Sequence, residues 1–146
     1  MNKILAAVDF SDLSTQVIEY ASEQAKAFGC EVLVIHVEPP APAFIGNEMS
    51  PPILTEQLTE EVVRIQDDLK AMVGYLNQKG IAASHEYLKG SVVDTIVDRA
   101  AEWNADLIVM GAHSHGILYR AFIGSISTGV LKASPCPVLV IPEKEK

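Results

Sequence analysis

The chain has 146 residues, 49% of them hydrophobic and 21% charged, with 11 Lys and Arg against 19 Asp and Glu for a net charge of −8. That much apolar residue excludes intrinsic disorder, and the length suits one domain able to bury roughly 70% of its unfolded surface. The acidic balance argues against nucleic acid or an anionic membrane as partner, because both demand a basic face.

The opening, Ile4-Leu5-Ala6-Ala7-Val8, is a short continuous apolar run, as in a strand covered on both faces. Asp9 interrupts it before it could serve as a signal-peptide core. Val17, Ala21, Ala25 and Phe28 then recur at helical steps, and Gly29 supplies a stop. Val32 to Val37 reads as a second buried strand, followed by a loop holding Pro39, Pro40, Pro42, Pro51 and Pro52. Leu58, Val62, Ile65, Leu69, Met72 and Leu76 form the strongest helical stripe, closed by Gly80. It spans under three heptads, which favours a core-facing helix over a coiled coil. Ile81 to Leu88 is a weaker third strand.

Ser91 and Asp94 have capping-box spacing ahead of a third helix, whose inner face is Val93, Ile96, Val97 and Ala100, with Trp103 at its end. Leu107 to Met110 is a fourth strand ending at Gly111, and a helix is expected from about Ser125 to Ala133. Val138-Leu139-Val140-Ile141, between Pro137 and Pro142, closes the series. Strands alternating with helices specify one α/β domain over residues 1–146: an open, parallel, five-stranded, Rossmann-like sheet with helices on both faces. Ligands of such sheets bind beyond the carboxyl ends of the strands, where the winding reverses. The places to look are therefore Asp9-Phe10, Val37-Glu38 and the loop from Gly111. Nowhere does an apolar stretch approach the ~20 residues of a membrane span. Cys30 and Cys136 lack metal-ligand spacing and read as reduced thiols, so a cytoplasmic protein is expected.

The segment Gly111-Ala112-His113-Ser114-His115-Gly116, continued to Gly124-Ser125-Ile126-Ser127-Thr128, gathers glycines and hydroxyls between a buried strand and a helix. Free N–H groups at a helix N-terminus, with the dipole behind them, attract anions. On spacing alone the Gly124-Ser125 pair reads equally as a turn with an N-cap. Gly124 and Gly129 have P-loop spacing, but Val130-Leu131 stand where Lys and Ser or Thr are required, and no G-x-G-x-x-G follows a strand. Without a phosphate-gripping Lys or a nucleophile–base pair, rapid phosphoryl transfer is not expected.

At this point the chain resembles the universal stress protein family over nearly its whole length. The resemblance rests on Ile4 to Ser11, on Asp106 to Gly111, and above all on Ser134-Pro135-Cys136-Pro137-Val138-Leu139-Val140-Ile141. ATP-binding members share G-x2-G-x9-G-[S/T]; this sequence keeps the full spacing from Gly111 to Gly124-Ser125 but has Ser114 at the second glycine. The family also implies a sheet like that of the adenine nucleotide alpha hydrolases. The resemblance implies ATP, or ADP or AMP, as ligand, with magnesium riding on the phosphates. It places Ala7, Val8 and Val37 by the adenine, Asp9 by the ribose, and Met110, Gly111, His113 and Ser114 along the crevice. Gly124, Ser125, Ile126 and Ser127 fall by the phosphates. The activity implied is a regulatory, stress-response module with at most slow hydrolysis.

The other reading is a nucleotide-independent dimeric interaction protein, in which the loop around Ser114 takes no phosphate. An adenylyl-transferring enzyme would want a glycine-rich loop after the first strand, and Asp9-Phe10-Ser11-Asp12-Leu13-Ser14 has no glycine. His113 and His115 read as loop residues and not as a metal pair, since no third ligand is near in sequence. The final strand is expected at a sheet edge, an association hazard that a two-fold homodimer through Val138–Ile141 would remove. Family resemblance implies the same dimer. The acidity is also uneven: residues 1–106 hold 7 cations and 17 acids, whereas Leu107 to Pro142 contains no Asp or Glu. The segment expected to hold phosphate is thus the one kept free of carboxylates.

Overall fold

In the computed structural model, residues 1–40, 52–113 and 124–143 are described. The elements run β1 (Lys3–Ala7), α1 (Asp12–Phe28), β2 (Glu31–Glu38), α2 (Pro52–Gln78), β3 (Ala83–Lys89), α3 (Val92–Trp103), β4 (Leu107–Ala112), α4 (Ser125–Ala133) and β5 (Val138–Pro142). All five strands are parallel, in the order β3-β2-β1-β4-β5. The chain winds outward from β1 to β3, crosses back with α3, and winds the other way through β4 and β5. The reversal therefore lies between β1 and β4, the position where ligand crevices open in such sheets.

Strand residues alternate between two cores, as the period-2 pleat requires. Ile4, Ala6, Val32, Val34 and Val109 face α1 and α2, while Leu5, Leu33, Ile35, Ile108 and Met110 face α3 and α4. Both faces being covered explains why β1, β2 and β4 read as continuous apolar runs. The edge strands differ: β3 is largely half-buried and carries Glu86, held by Arg99 of α3 at 2.7 and 2.8 Å. The other edge is β5, as expected from its position in the sequence.

Several local expectations change. Phe28 is 56% exposed, because it is the last residue of α1 and the chain turns at Gly29, which caps the helix in the left-handed region at φ 68°. Leu58 is 54% exposed although it belongs to the apolar stripe, whereas Ile65, Leu69 and Leu76 are buried. The physical reason is length. At 27 residues α2 is about 40 Å long, and strands of 5 to 8 residues reach only about 17–26 Å. The first turns of α2 consequently run past the strands it covers. Ser91 stands at the N-cap of α3, but its side chain makes no capping bond. Cys30 is buried, its thiol pushed up by burial and donating to the Met1 carbonyl, and Cys136 is also a free thiol pushed up by burial. No helix among the described residues is long and apolar enough to cross a membrane.

Candidate functional site

A crevice of about 570 Å³ opens at the carboxyl ends of β1, β2 and β4, within the ~300–1,000 Å³ usual for small-molecule sites. Of the twelve residues expected at a ligand, Ser114 lies outside the described residues. The other eleven — Ala7, Val8, Asp9, Val37, Met110, Gly111, His113, Gly124, Ser125, Ile126 and Ser127 — line this crevice. β1 ends at Ala7, and three residues on Phe10 adopts φ 63°, a left-handed turn that costs a non-glycine residue about 1–2 kcal/mol. That turn leaves Asp9 at the crevice mouth and folds the Phe10 ring against His36.

Asp9 is surrounded by donors. Its Oδ1 accepts from the Ser11 amide at 3.0 Å, the Ser11 hydroxyl at 2.6 Å and the Ser14 hydroxyl at 3.2 Å. Its Oδ2 lies 2.7 Å from Nε2 of His113. Partial burial pushes this carboxyl up, but the Ser11 hydroxyl and amide, His113 and Ser14 together outweigh it and hold Asp9 below the ordinary carboxylate range. The hydroxyl of Ser11, an N-cap position, turns back to Asp9 and does not cap its helix. His113 is thereby the latch between the ends of β1 and β4, and its Nδ1 stands 3.7 Å from Glu143, just after β5. The carboxylate-free stretch of sequence thus has a carboxylate folded back against it.

Gly124, also in the crevice lining, stands at the N-cap of α4. The Thr128 amide bonds to the Gly124 carbonyl at 3.0 Å, the opening bond of the helix. The amides of Ser125, Ile126 and Ser127 precede it and lack intrahelical acceptors, so they form the donor end of the helix dipole. Ser127 is 2% exposed, and its hydroxyl donates to the Gly124 carbonyl at 3.1 Å. A buried hydroxyl satisfies itself locally in this way. Gly124 also has a packing reason to be glycine: a Cβ there would sit 2.2 Å from the His113 carbonyl oxygen.

The crevice has partners that sequence reasoning missed. His36, Pro39, Val92 and Ile96 join its lining. Val92 and Ile96 are one helical turn apart on α3, and only the crossover of α3 behind β2 and β1 brings them there. Among the described lining residues there is no Lys or Arg. An anion would therefore be held by backbone amides and hydroxyls. His115 lies outside the described residues, and no group of three metal-ligating side chains occurs among those described.

The family model for the universal stress protein family matches residues 1–142. The chain belongs to the universal stress protein family. It is 36% identical over 146 residues to a universal stress protein of Methanocaldococcus jannaschii, covering 99% of this chain and 84% of that one. It is similar in structure to the universal stress protein UspA from Lactobacillus plantarum, with a TM-score of 0.78 at 26% identity, covering 96% of this chain and 97% of that one. It is also similar to the Archaeoglobus fulgidus universal stress protein solved in complex with dAMP. There the TM-score is 0.69 at 26% identity, covering 97% of this chain and 98% of that one.

Proposed function

We propose that this universal stress protein binds an adenine nucleotide, ATP, ADP or AMP, in the crevice between β1 and β4. The observation that carries this reading is that the Asp9 carboxylate and the N-terminus of α4 line the same crevice. Ala7, Val37, Met110 and Ile96 supply an apolar slot for a base, Asp9 an acceptor for ribose hydroxyls, and the first-turn amides of α4 an anion cradle. The dAMP complex of the Archaeoglobus fulgidus relative supports a nucleotide of this class. Magnesium would ride on the phosphates, for which it needs few protein ligands. The described lining residues include no lysine or arginine to grip the transferring phosphate, so the proposed role is regulatory binding with at most slow hydrolysis.

Calorimetry with ATP, ADP and AMP, each with and without magnesium, tests this, together with assay of nucleotide released on denaturing the purified protein. The reading falls if no nucleotide is released and millimolar ATP with magnesium gives no heat. A nucleotide-independent interaction protein would then stand, and one observation favours it: Asp9 is already occupied by Ser11, Ser14 and His113. Either reading includes a homodimer through the β5 edge, Val138–Ile141, and a monomer sedimenting at micromolar concentration would overturn that part.

A further inference from the structure

An ionised carboxylate accepts hydrogen bonds at about four lone-pair positions, two on each oxygen. On Asp9 the protein itself takes most of them. Oδ1 accepts from the Ser11 amide at 3.0 Å, the Ser11 hydroxyl at 2.6 Å and the Ser14 hydroxyl at 3.2 Å. Three donors crowded onto one oxygen leave no place for a fourth. These donors are also fixed in position. The Ser14 amide bonds to the Ser11 carbonyl at 2.9 Å where α1 begins, and the buried Ser14 hydroxyl accepts the Asp9 amide at 3.2 Å.

Oδ2 meets His113, whose Nε2 lies 2.7 Å from it and 3.0 Å from the Ser11 hydroxyl oxygen. The Ser11 proton is spent on Oδ1 and a carboxylate only accepts, so Nε2 carries the hydrogen at this junction. One lone pair of Oδ2 goes to His113, and one is left. That count is an upper bound, because any further donor would lower it. The carboxylate is nevertheless within reach of a ligand, since the Asp9 side chain is 52% exposed and lines the crevice.

The count decides how much of a sugar Asp9 can read. Two neighbouring hydroxyls read by one carboxylate need two acceptor positions, and Asp9 offers one. We infer that Asp9 reads a single sugar hydroxyl, through Oδ2, and that the crevice accepts a monodeoxynucleotide lacking the other hydroxyl as well as it accepts the ribonucleotide. Ser11 and Ser14 are the positioning residues that set this limit, because their hydroxyls close Oδ1. The inference rests on the nucleotide reading above and specifies which sugars that site takes.

Calorimetry comparing AMP with 2′-deoxy-AMP and 3′-deoxy-AMP tests it. A hydroxyl bonded to a carboxylate is worth about tenfold or more in affinity. One of the two deoxynucleotides is therefore expected to bind about tenfold or more weaker than AMP, and the other within about threefold of it. In the double variant Ser11→Ala with Ser14→Ala, Oδ1 keeps only the Ser11 amide. The deoxynucleotide that the wild type tolerates should there fall at least about fivefold behind AMP. A measurement without ligand stands beside these, the Asp9 carboxyl titration followed by NMR in Ser11→Ala. Burial pushes this carboxyl up and the Ser11 hydroxyl leads the bonds that outweigh it, so losing that hydroxyl should move the titration upward.

Losses of about tenfold with both deoxynucleotides overturn the inference, and so does no loss with either. An unmoved Asp9 titration in Ser11→Ala also overturns it, because Oδ1 is then not closed by that hydroxyl. These failures leave the nucleotide reading standing. Absence of heat from AMP and from both deoxynucleotides defeats the nucleotide reading, and the inference with it.

Discussion

Gly124 is where packing and ligand binding can be told apart most sharply. A Cβ at this position would meet the His113 carbonyl oxygen at 2.2 Å and its carbonyl carbon at 3.3 Å. Ordinary contact needs about 3.5 Å, so the α4 N-terminus and the end of β4 must separate by roughly 1.3 Å. Both are backbone, so no side chain can swing aside. The nearest analogue is overpacking of a core, which costs about 1–3 kcal/mol. Gly124→Ala is thus expected to lose about 2 kcal/mol of stability in urea unfolding without any nucleotide present.

Gly111→Ala is the control. Its Cβ would meet Leu13 Cδ1 at 3.0 Å and Leu13 Cβ at 3.2 Å, a smaller overlap that a shift of a few tenths of an ångström relieves. It should cost under about 1 kcal/mol. Because His113 moves with its own carbonyl, Gly124→Ala should also disturb the His113 contact to Asp9, seen as a shift of the His113 ring resonances. A Gly124→Ala protein as stable as the wild type, or a Gly111→Ala protein equally damaged, would refute this reasoning.

The remaining expectations concern charge and packing. Asp9 is held below its unfolded pKa, so its contribution to stability is complete above the ordinary carboxylate value and is lost as pH falls through the lowered folded value. Urea midpoints followed down through the acid range should fall more steeply for the wild type than for Asp9→Asn, and parallel acid limbs would contradict this. Glu86 is likewise held below the ordinary range by its Arg99 bonds, which tie α3 to the β3 edge. A double-mutant cycle with Glu86→Gln and Arg99→Met should return a coupling of about 1 kcal/mol at neutral pH, and a coupling near zero would show the pair to be idle. Leu5→Ala removes a fully buried side chain from the sheet centre and should cost about 2–5 kcal/mol by chemical denaturation. Leu58→Ala, on an exposed turn of α2, should stay within about 0.5 kcal/mol, and a cost like that of Leu5 would mean the first turns of α2 are covered.

Much of this molecule is readable from the sequence because its information is local. Continuous apolar runs at β1, β2 and β4 follow from burial on both faces, and α4 begins and ends at Ser125 and Ala133 as its glycine and spacing require. The crevice, too, follows from strand–helix alternation, since the reversal of winding is a property of connectivity. What the spacing could not contain is contact between residues far apart along the chain. The Asp9–His113 pair joins positions 104 apart, and Glu143 returns from beyond β5 to the same imidazole.

Exposure at Leu58 likewise depends on the relative lengths of a helix and the strands beneath it, so an unbroken stripe of apolar residues overstated its burial. His36 shows the division most clearly. As a residue in an apolar strand it reads as a structural core histidine, and in the sequence nothing marks it further. Only the folded chain brings its Nδ1 to the Val8 carbonyl at 2.8 Å and sets its ring against Phe10. Local patterns determined the elements and their order. Tertiary structure decided which polar groups are spent within the protein and which remain free, because hydrogen-bond satisfaction is settled only when distant segments meet.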